Sequence, residues 1–365
     1  MGQKSSISSF SLESLISNFM SWVIKRNRII FLIPGVVLCA LFLGAILIFI
    51  AGGSPLSGYL DLLHGAFLGK RQIRQLLNES APLAIMSLGY SVAFQARFLG
   101  IGGQGQQDFG GIIATIVLLN FGISNPWIGL PAAIGFAGVA GCLIGLVVAF
   151  FKVRFSMNEV VVSLMMNYMI FYLLSWVVRL PLRNPTGFIP ESARIPSQMV
   201  LPKLFGSDID ITCLVAVFLA LFLRWLLSNT ALGFRIIAVG KNVDASRANG
   251  ISIMWTILIA SGLAAFLAGI VGALRLAGPE GRLSQGFSTS LGFTAIVVTL
   301  LARNNPLGIL VASIFMRALG IGGAVMQRTQ EIPQAVSQVI QALVVILALS
   351  AYQLMPDREI SNEFK

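Results

Sequence analysis

The stretch PWIGLPAAIGFAGVAGCLIGLVVAFF, residues 126–151, contains no charged side chain and no histidine. The hydrocarbon core of a bilayer is about 30 Å thick, and an α-helix needs about 20 apolar residues to cross it. This stretch is long enough, so it predicts a transmembrane helix. It decides the fold class, because the rest of the chain repeats the same kind of segment.

Apolar runs along the whole chain predict about ten transmembrane helices. The run near 100–120 is interrupted by glycine and glutamine, and the run at 291–302 is short. The predicted spans are 29–51, 81–98, 100–120, 126–151, 159–181, 209–228, 254–277, 291–302, 304–324 and 333–355. We therefore expect an all-α polytopic membrane protein with one transmembrane domain over 29–355.

The composition excludes a soluble protein. Hydrophobic residues make up 56% of the chain and charged residues 11%, against about 25% charged residues in soluble domains. The formal net charge is +11. In a membrane protein, basic cytoplasmic loops explain such a charge better than binding to nucleic acid does.

The distribution of Lys and Arg predicts that both termini are cytoplasmic. Residues 1–28 are then an N-terminal cytoplasmic segment and residues 356–365 a cytoplasmic tail. Residues 182–208 form an extracytoplasmic loop within a stretch that several prolines keep from being helical. Residues 229–253 form a polar cytoplasmic segment between two spans.

The cytoplasmic segment 229–253 carries the signals of a short helix. Asn242 is a residue type that caps a helix N-terminus, and Asp244 suits the first turn. Gly250 can end the helix in a left-handed conformation. A short helix at this place is positioned to touch a partner protein.

A weak internal repeat predicts a transporter. Gln104-Gly105 and Gly111 recur later in the chain as Gln285-Gly286 and Gly292. Because the two copies are separated by an odd number of predicted spans, they would point in opposite directions. Inverted repeats with helices broken in the membrane build the substrate sites of many transporters. We therefore expect an inverted five-helix repeat.

Polar side chains within the apolar segments are candidates for a substrate pathway, because polar groups in hydrocarbon normally face a cavity or a partner. Amides both donate and accept hydrogen bonds, which suits a polar solute. The alternative is that the amides and the neighbouring glycines hold helices together. The candidate pathway residues are Gln104, Gln106, Gln107, Asp108, Asn158, Asn167, Tyr168, Ser288 and Thr289.

No catalytic motif occurs in the chain: there is no phosphate-binding loop, no H-E-x-x-H and no G-x-S-x-G. We expect no enzyme activity, no metal site and no cofactor. Asp108 is the one clear candidate for an intramembrane carboxylate, so energy for uphill transport is expected to come from another subunit. An ion-coupled secondary carrier or a channel for a small polar solute is the alternative function.

Three stretches resemble the permease subunits of bacterial ABC importers for branched-chain amino acids and simple sugars, especially the nucleoside-uptake subgroup. The first is MNEVVVSLMMNYMIFYL at 157–173. The second is ALGFRIIAVGKNVDASRANGI at 231–251, and the third is GFTAIVVTLLARNNPLGIL at 292–310. The resemblance extends from about residue 80 to residue 350.

The resemblance implies a transport subunit of the bacterial inner membrane that works with three kinds of protein. These are an ATPase subunit that binds the ATP, a second permease subunit (homologous or a second copy) and an extracytoplasmic solute-binding lipoprotein. The segment of the family that docks on the ATPase falls here on Gly233, Arg235, Gly240, Asn242, Ala245, Arg247 and Gly250.

The resemblance also implies a nucleoside as substrate, although one motif departs from the family. The family signature N-I-G-x-E-G-Q falls on GIGGQGQ, so that Gly100 replaces an asparagine and Gln104 a glutamate. The loss of a carboxylate changes which polar groups of a solute can be bound there. A simple sugar, a purine base or a ribityl vitamin such as riboflavin therefore stays open as the substrate.

Overall fold

The computed structural model describes residues 42–120, 125–185, 189–204, 208–287 and 290–353. Within these residues the protein is helical, and β-structure is limited to isolated bridges. The predicted N-terminal segment 1–28 and the tail 356–365 lie outside the described residues. The helices are α1 (Phe42–Ile50), α2 (Pro55–Phe67), α3 (Lys70–Gln95), α4 (Gly103–Asn120), α5 (Pro126–Phe155), α6 (Glu159–Arg179), α7 (Thr212–Asn229), α8 (Ala231–Lys241), α9 (Val243–Ala248), α10 (Ile253–Arg275), α11 (Leu291–Leu301), α12 (Pro306–Gln330) and α13 (Gln334–Gln353).

Five described helices are long and apolar enough to cross a membrane: α5, α6, α7, α10 with its continuation to Glu280, and α12. The number is six if α1 and α2, which are bent by 108° relative to each other, form one span. The chain is therefore a multi-pass membrane protein, as the sequence predicts. The total of about ten spans stays a prediction.

α3 differs most from its predicted span, whereas α4 and α11 lie close to theirs. α3 begins at Lys70, well before the predicted start at residue 81, and its first turns carry charged residues. α4 is rich in glycine and glutamine at its start. α11 has 11 residues, which corresponds to about 17 Å of helix, so it is too short to cross the hydrocarbon core by itself.

The chain divides into two compact units. One contains the described parts of Met1–Leu60 and Met326–Lys365. Its apolar core is formed by Ile48, Met326, Ile332 and Ile340.

The other unit, Asp61–Val325, is held together by close helix contacts at small residues. A Cβ atom built on Gly141 of α5 would lie 2.8 Å from the Cα atom of Gly269 in α10. A Cβ atom on Gly110 of α4 would lie 2.8 Å from the same atom. Glycine is therefore required where α4 and α5 pack against α10, as is common where membrane helices meet.

The proline-rich segment between α6 and α7 is not helical except for a short 3₁₀ turn at Ser197–Met199. It packs on the chain that follows α10: the N–H of Ser192 donates to the carbonyl of Leu283 (2.8 Å), and the N–H of Ile195 donates to the carbonyl of Gly281 (3.0 Å). The segment thus forms a cover on this end of the unit. That it lies outside the cell stays a prediction.

Asp208 connects the end of this cover to α3. Its carboxylate accepts hydrogen bonds from Lys203 (3.0 Å) and from Arg74 (3.0 Å). The bond from Lys203 and the positive charges of Lys203 and Arg74 lower the pKa of Asp208. The site is exposed to solvent, so this ion cluster orients the loop and contributes little to stability.

Candidate functional site

The start of α4 lies deep in the second unit and is held by side chains of two other helices. The backbone N–H of Gly103 donates to the hydroxyl of Tyr90 in α3 (2.9 Å), and the N–H of Gly105 donates to the amide oxygen of Asn167 in α6 (2.9 Å). The first N–H groups of a helix have no partner within the helix. Tyr90 and Asn167 supply these partners, which allows α4 to begin in a buried place.

The segment 97–102, which leads into α4, is fixed along the same face of α6. The N–H of Ile101 donates to the hydroxyl of Ser163 (2.9 Å), and the amide of Asn167 donates to the carbonyl of Ile101 (2.9 Å). Asn167 follows Glu159, the first residue of α6, by about 12 Å along the helix axis. α4 therefore begins near the middle of the span that α6 forms.

An ion pair holds the beginning of this segment. Lys152 of α5 pairs with Glu159 and donates a hydrogen bond to the carbonyl of Arg97 (2.9 Å). The pathway candidate Asn158 caps α6, and its side chain accepts a hydrogen bond from the N–H of Val160 (2.9 Å). α5, α6 and the turn that follows α3 thus meet at this ion pair, beside the segment that leads into α4.

Four of the predicted pathway side chains project from the first turns of α4. Gln104 is half-buried, Gln106 is 9% exposed, and Gln107 and Asp108 are each 1% exposed. Neither polar atom of the Gln107 side chain has a hydrogen-bond partner among the described residues. An unpaired buried amide is costly, so Gln107 is the side chain in this group that most needs a polar ligand or a water molecule.

The structure brings Asn167 to these residues but separates Tyr168 from them. Tyr168 lies on the outward face of α6 and is 66% exposed. Ser288 and Thr289 lie outside the described residues. Tyr90 and Ser163 were not among the predicted residues; each carries a hydroxyl within an apolar stretch of its helix. The role of all these residues in a substrate pathway stays a prediction.

α11 begins against the first turn of α4. A Cβ atom on Gly292 would lie 2.8 Å from the backbone nitrogen of Gln104. The two copies of the proposed repeat lie in different settings, because Gln104 is inside α4 whereas Gln285 precedes α11 and accepts a hydrogen bond from Arg179 (3.3 Å). The inverted repeat stays a prediction.

The segment 229–253 contains two helices, α8 and α9, where the sequence predicts one. The side chain of Asn242 caps α9, accepting hydrogen bonds from the N–H groups of Asp244 and Ala245 (3.0 Å each). Gly250 has φ of +77° and ends this turn in the left-handed region. Thr230 caps α8 by accepting a hydrogen bond from the N–H of Gly233 (3.1 Å).

One face of α8 packs on the helix bundle. A Cβ atom on Gly240 would overlap the carbonyl oxygen of Gln95 at the end of α3, and one on Gly233 would overlap the end of α7 near Leu227. Both positions therefore require glycine for close approach. Ile236 and Val239 are buried on the same face.

The other face of the segment is open. Arg235, Asn242 and Ala245 are exposed, as are Arg247 and Gly250. The guanidinium of Arg247 lies 3.7 Å from the carboxylate of Asp244, and both side chains extend into solvent. The segment is thus anchored on one side and presents polar groups on the other.

One protein family matches most of the chain. The family described as branched-chain amino acid transport system, permease component, matches residues 72–349. The chain belongs to this permease family. No solved structure matches it.

Characterised relatives of this permease are subunits of ABC transporters. It is 28% identical over 327 residues to a glucose ABC transporter permease protein of Haloferax volcanii, covering 86% of each chain. It is 28% identical over 322 residues to the guanosine ABC transporter permease protein NupP of Bacillus subtilis, covering 87% of this chain and 92% of the relative. NupQ, another guanosine ABC transporter permease protein of B. subtilis, is 25% identical over 287 residues, which cover 75% of this chain and 89% of the relative.

The permease is therefore the membrane-embedded transport subunit of an ABC importer, and its family is one of transport proteins. A permease of this type works with an ATPase and a solute-binding protein.

Proposed function

We propose that this permease imports a nucleoside, and that ATP hydrolysis by a separate ATPase subunit drives the import. A solute-binding lipoprotein outside the inner membrane of a bacterium delivers the nucleoside, and a second permease chain completes the pathway. Both termini of the permease lie in the cytoplasm, and the chain itself holds no cofactor. The guanosine permeases NupP and NupQ among its relatives support a nucleoside, and the glucose permease, which is as identical to this chain as NupP, makes a simple sugar the alternative.

The observation that carries the coupling mechanism is the contact between Gly240 and Gln95. The open face of α8 and α9, with Arg235, Asn242 and Arg247, docks on the ATPase. α8 is in close contact with the end of α3. A movement of the ATPase therefore displaces α8, then the end of α3, and then the segment 97–102 that follows it. That segment leads directly into the first turn of α4, where the polar side chains lie.

The proposed substrate contacts are the amides of α4. A nucleoside offers ring nitrogens and sugar hydroxyls, which need partners that both donate and accept hydrogen bonds. Gln107 has a free donor and a free acceptor among the described residues. Gln104, Gln106 and Asp108 lie on adjacent positions of the same turns, near the middle of the span formed by α6.

Uptake competition tests the substrate class. Cells that lack the gene for this chain are compared with complemented cells for uptake of radiolabelled guanosine. We expect guanosine uptake only in the complemented cells. Unlabelled inosine and adenosine should reduce this uptake, and glucose should not change it. If glucose or riboflavin competes and nucleosides do not, the nucleoside assignment is wrong while the importer function stands.

A further inference from the structure

Arg275, the last residue of α10, is a buried cation that holds another part of the chain. Its relative exposure is 7%. Its guanidinium donates one hydrogen bond to the backbone carbonyl of Phe287 (3.0 Å) and another to the carboxylate of Glu280 (2.6 Å). The guanidinium also lies 5.2 Å from the centroid of the Phe287 ring, which is within the range of a cation–π contact. Arg275 thus fixes both the backbone and the ring of Phe287.

The ring of Phe287 lies against α4, beside the predicted pathway. Phe287 is 0% exposed, and a Cβ atom built on Gly111 would lie 2.8 Å from the ring atom Cε1. Gly111 follows Gln107 by four positions, so the two lie on the same side of α4, about 6 Å apart along the helix axis. Phe287 is therefore one helical turn beyond the amide of Gln107, which has no hydrogen-bond partner among the described residues.

Phe287 lies on the side of Gln107 that faces the proline-rich cover. The chain from Gly281 to Phe287 is bonded to this cover, since the N–H of Leu283 donates to the hydroxyl of Ser192 (2.9 Å) and accepts the N–H of Ser192 at its carbonyl (2.8 Å). A solute that enters from the side of the cover therefore meets the Phe287 ring before it reaches Gln107.

Stability alone does not explain a charged residue at position 275. Replacing a buried ion pair with hydrophobic side chains of similar volume is often neutral or stabilising. The side chain of Glu280 is 35% exposed, so water can compete for one end of the pair. Leu276–Glu280 forms a π-helical turn, a distortion that occurs frequently at functional sites. These features favour a contact that opens and closes over a purely structural one.

α5 and α10 run antiparallel, so their C-terminal ends lie at opposite ends of the helix pair. A Cβ atom on Gly269 of α10 would overlap the carbonyl oxygen of Ala137 of α5. A Cβ atom on Gly145, farther along α5, would lie 3.1 Å from the carbonyl oxygen of Ser261, which is nearer the start of α10.

The C-terminal end of α5 has an arrangement of the same kind as the end of α10. Lys152 pairs with Glu159, donates to the carbonyl of Arg97 (2.9 Å) and lies 5.4 Å from the centroid of the Phe98 ring. Phe98 is 5% exposed and precedes α4, as Phe287 precedes α11. Each end of the α5–α10 pair thus has a cation that holds a phenylalanine next to the start of a helix.

We propose that Phe287 is the outer gate of the pathway and that Arg275 is the positioning residue that keeps this gate closed. The inference rests on the proposed function and adds the residues that control the access of a nucleoside to the amides of α4. When Arg275 releases the carbonyl of Phe287, the ring leaves Gly111, and a solute from the side of the cover reaches Gln107. The hydrogen bonds between the cover and the chain before Phe287 couple this movement to the cover.

Thiol labelling in right-side-out membrane vesicles that contain the complete importer tests the proposal. Gln107→Cys places a reporter behind the gate, and Cys39 and Cys213 are replaced by alanine. A membrane-impermeant methanethiosulfonate reagent is added outside, and mass spectrometry measures the rate of labelling at position 107. We expect Arg275→Leu to raise this rate about tenfold or more, because a charge-assisted hydrogen bond that holds the closed form is lost.

Two controls separate an open gate from a loosened fold. The native Cys142 of α5 is kept in the same molecule; a Cβ atom on Gly262 of α10 would lie 3.3 Å from its sulfur, and Gly262 is about 20 Å from Arg275 along the helix. The labelling of Cys142 should not change. In inside-out vesicles, Arg275→Leu should leave the labelling rate at position 107 unchanged, because the contact of Lys152 with Phe98 is intact.

Three results would overturn the proposal: an unchanged rate at position 107, an equal increase at Cys142, or an equal increase from the cytoplasmic side. The last two would mean that Arg275 only stabilises the fold. If the Arg275→Leu variant does not reach the membrane, Phe287→Ala, which removes the ring itself, is read in the same way.

Guanosine uptake by the importer with the wild-type chain separates this inference from the proposed function. ATP-dependent guanosine uptake together with an unchanged labelling rate in Arg275→Leu refutes the gate and leaves the proposed function intact. A raised labelling rate in Arg275→Leu, with no guanosine uptake by the wild-type importer, supports the gate and refutes the nucleoside assignment.

Discussion

The side chain of Gln107 is 1% exposed, and neither of its polar atoms is hydrogen-bonded to a described residue. A residue that serves only to pack helices would be better replaced by a hydrocarbon side chain. A residue that binds a solute keeps its amide in spite of the cost. Stability and transport should therefore respond to its replacement in opposite directions.

We expect Gln107→Leu to raise the free energy of unfolding by about 1–3 kcal/mol, because an unpaired buried amide is removed. Guanosine uptake should fall at the same time. Thermal unfolding in detergent and uptake in cells measure the two effects. If uptake is unchanged while stability rises, Gln107 has no part in the substrate pathway.

For Asn167 we expect replacement to lower the free energy of unfolding, because both the oxygen and the nitrogen of its amide are hydrogen-bonded at the start of α4. Asn167→Leu leaves the N–H of Gly105 and the carbonyl of Ile101 unpaired. We expect a loss of about 1–3 kcal/mol for each group, read as a lower midpoint of thermal unfolding.

Tyr168→Phe is the matched control for Asn167→Leu. It changes the adjacent residue of α6, whose hydroxyl makes no hydrogen bond with the described residues. The midpoint of the purified chain should stay at the wild-type value. Equal midpoints for the two variants would show that Asn167 does not hold the start of α4.

At the scale of elements, α8 transmits force only if its close contact with α3 is kept. Gly240→Ala introduces a methyl group that overlaps the carbonyl of Gln95. We expect α8 to be displaced and guanosine uptake to fall strongly, while the amount of protein in the membrane is unchanged. Immunoblotting of membranes and uptake assays test this.

Gly135→Ala in α5 controls for the loss of a glycine, because a Cβ atom there meets nothing within 4 Å. Its uptake should equal that of the wild type. Normal uptake in Gly240→Ala as well would contradict the proposed route from α8 to α4.

The open face of the same element has a separate test. Arg247 is exposed, with its guanidinium near Asp244. Arg247→Glu should therefore leave thermal stability unchanged but reduce co-purification of the ATPase with the permease. Arg247→Lys, which keeps the positive charge, should retain most of the ATPase. Full retention of the ATPase in both variants would show that the docking surface lies elsewhere.

Local signals in the sequence predicted both ends of α9. Asn242 caps α9, and Gly250 adopts a left-handed conformation, as residue type alone indicates. The support of α4 by Tyr90 and Asn167 was not predictable, because those residues are distant in sequence and meet only after folding. The same holds for the overlap of Gly240 with Gln95.

At the scale of the whole molecule, hydropathy predicted the all-helical membrane fold but not the details of its spans. Runs such as 126–151 became long helices because they are apolar throughout. The start of α4 is polar, and α11 is short. Contacts with other helices stabilise both, so neither has to cross the bilayer alone. Hydropathy cannot distinguish such helices from full spans.

This chain is proposed to be the permease of an ATP-driven nucleoside importer. The most direct test is guanosine uptake into proteoliposomes that contain the permease with its ATPase, partner permease and solute-binding protein. We predict uptake that requires ATP and the loaded binding protein, and that is lost when the lysine of the ATPase phosphate loop is replaced. Uptake driven by an ion gradient in the absence of ATP would contradict the account and favour a secondary carrier.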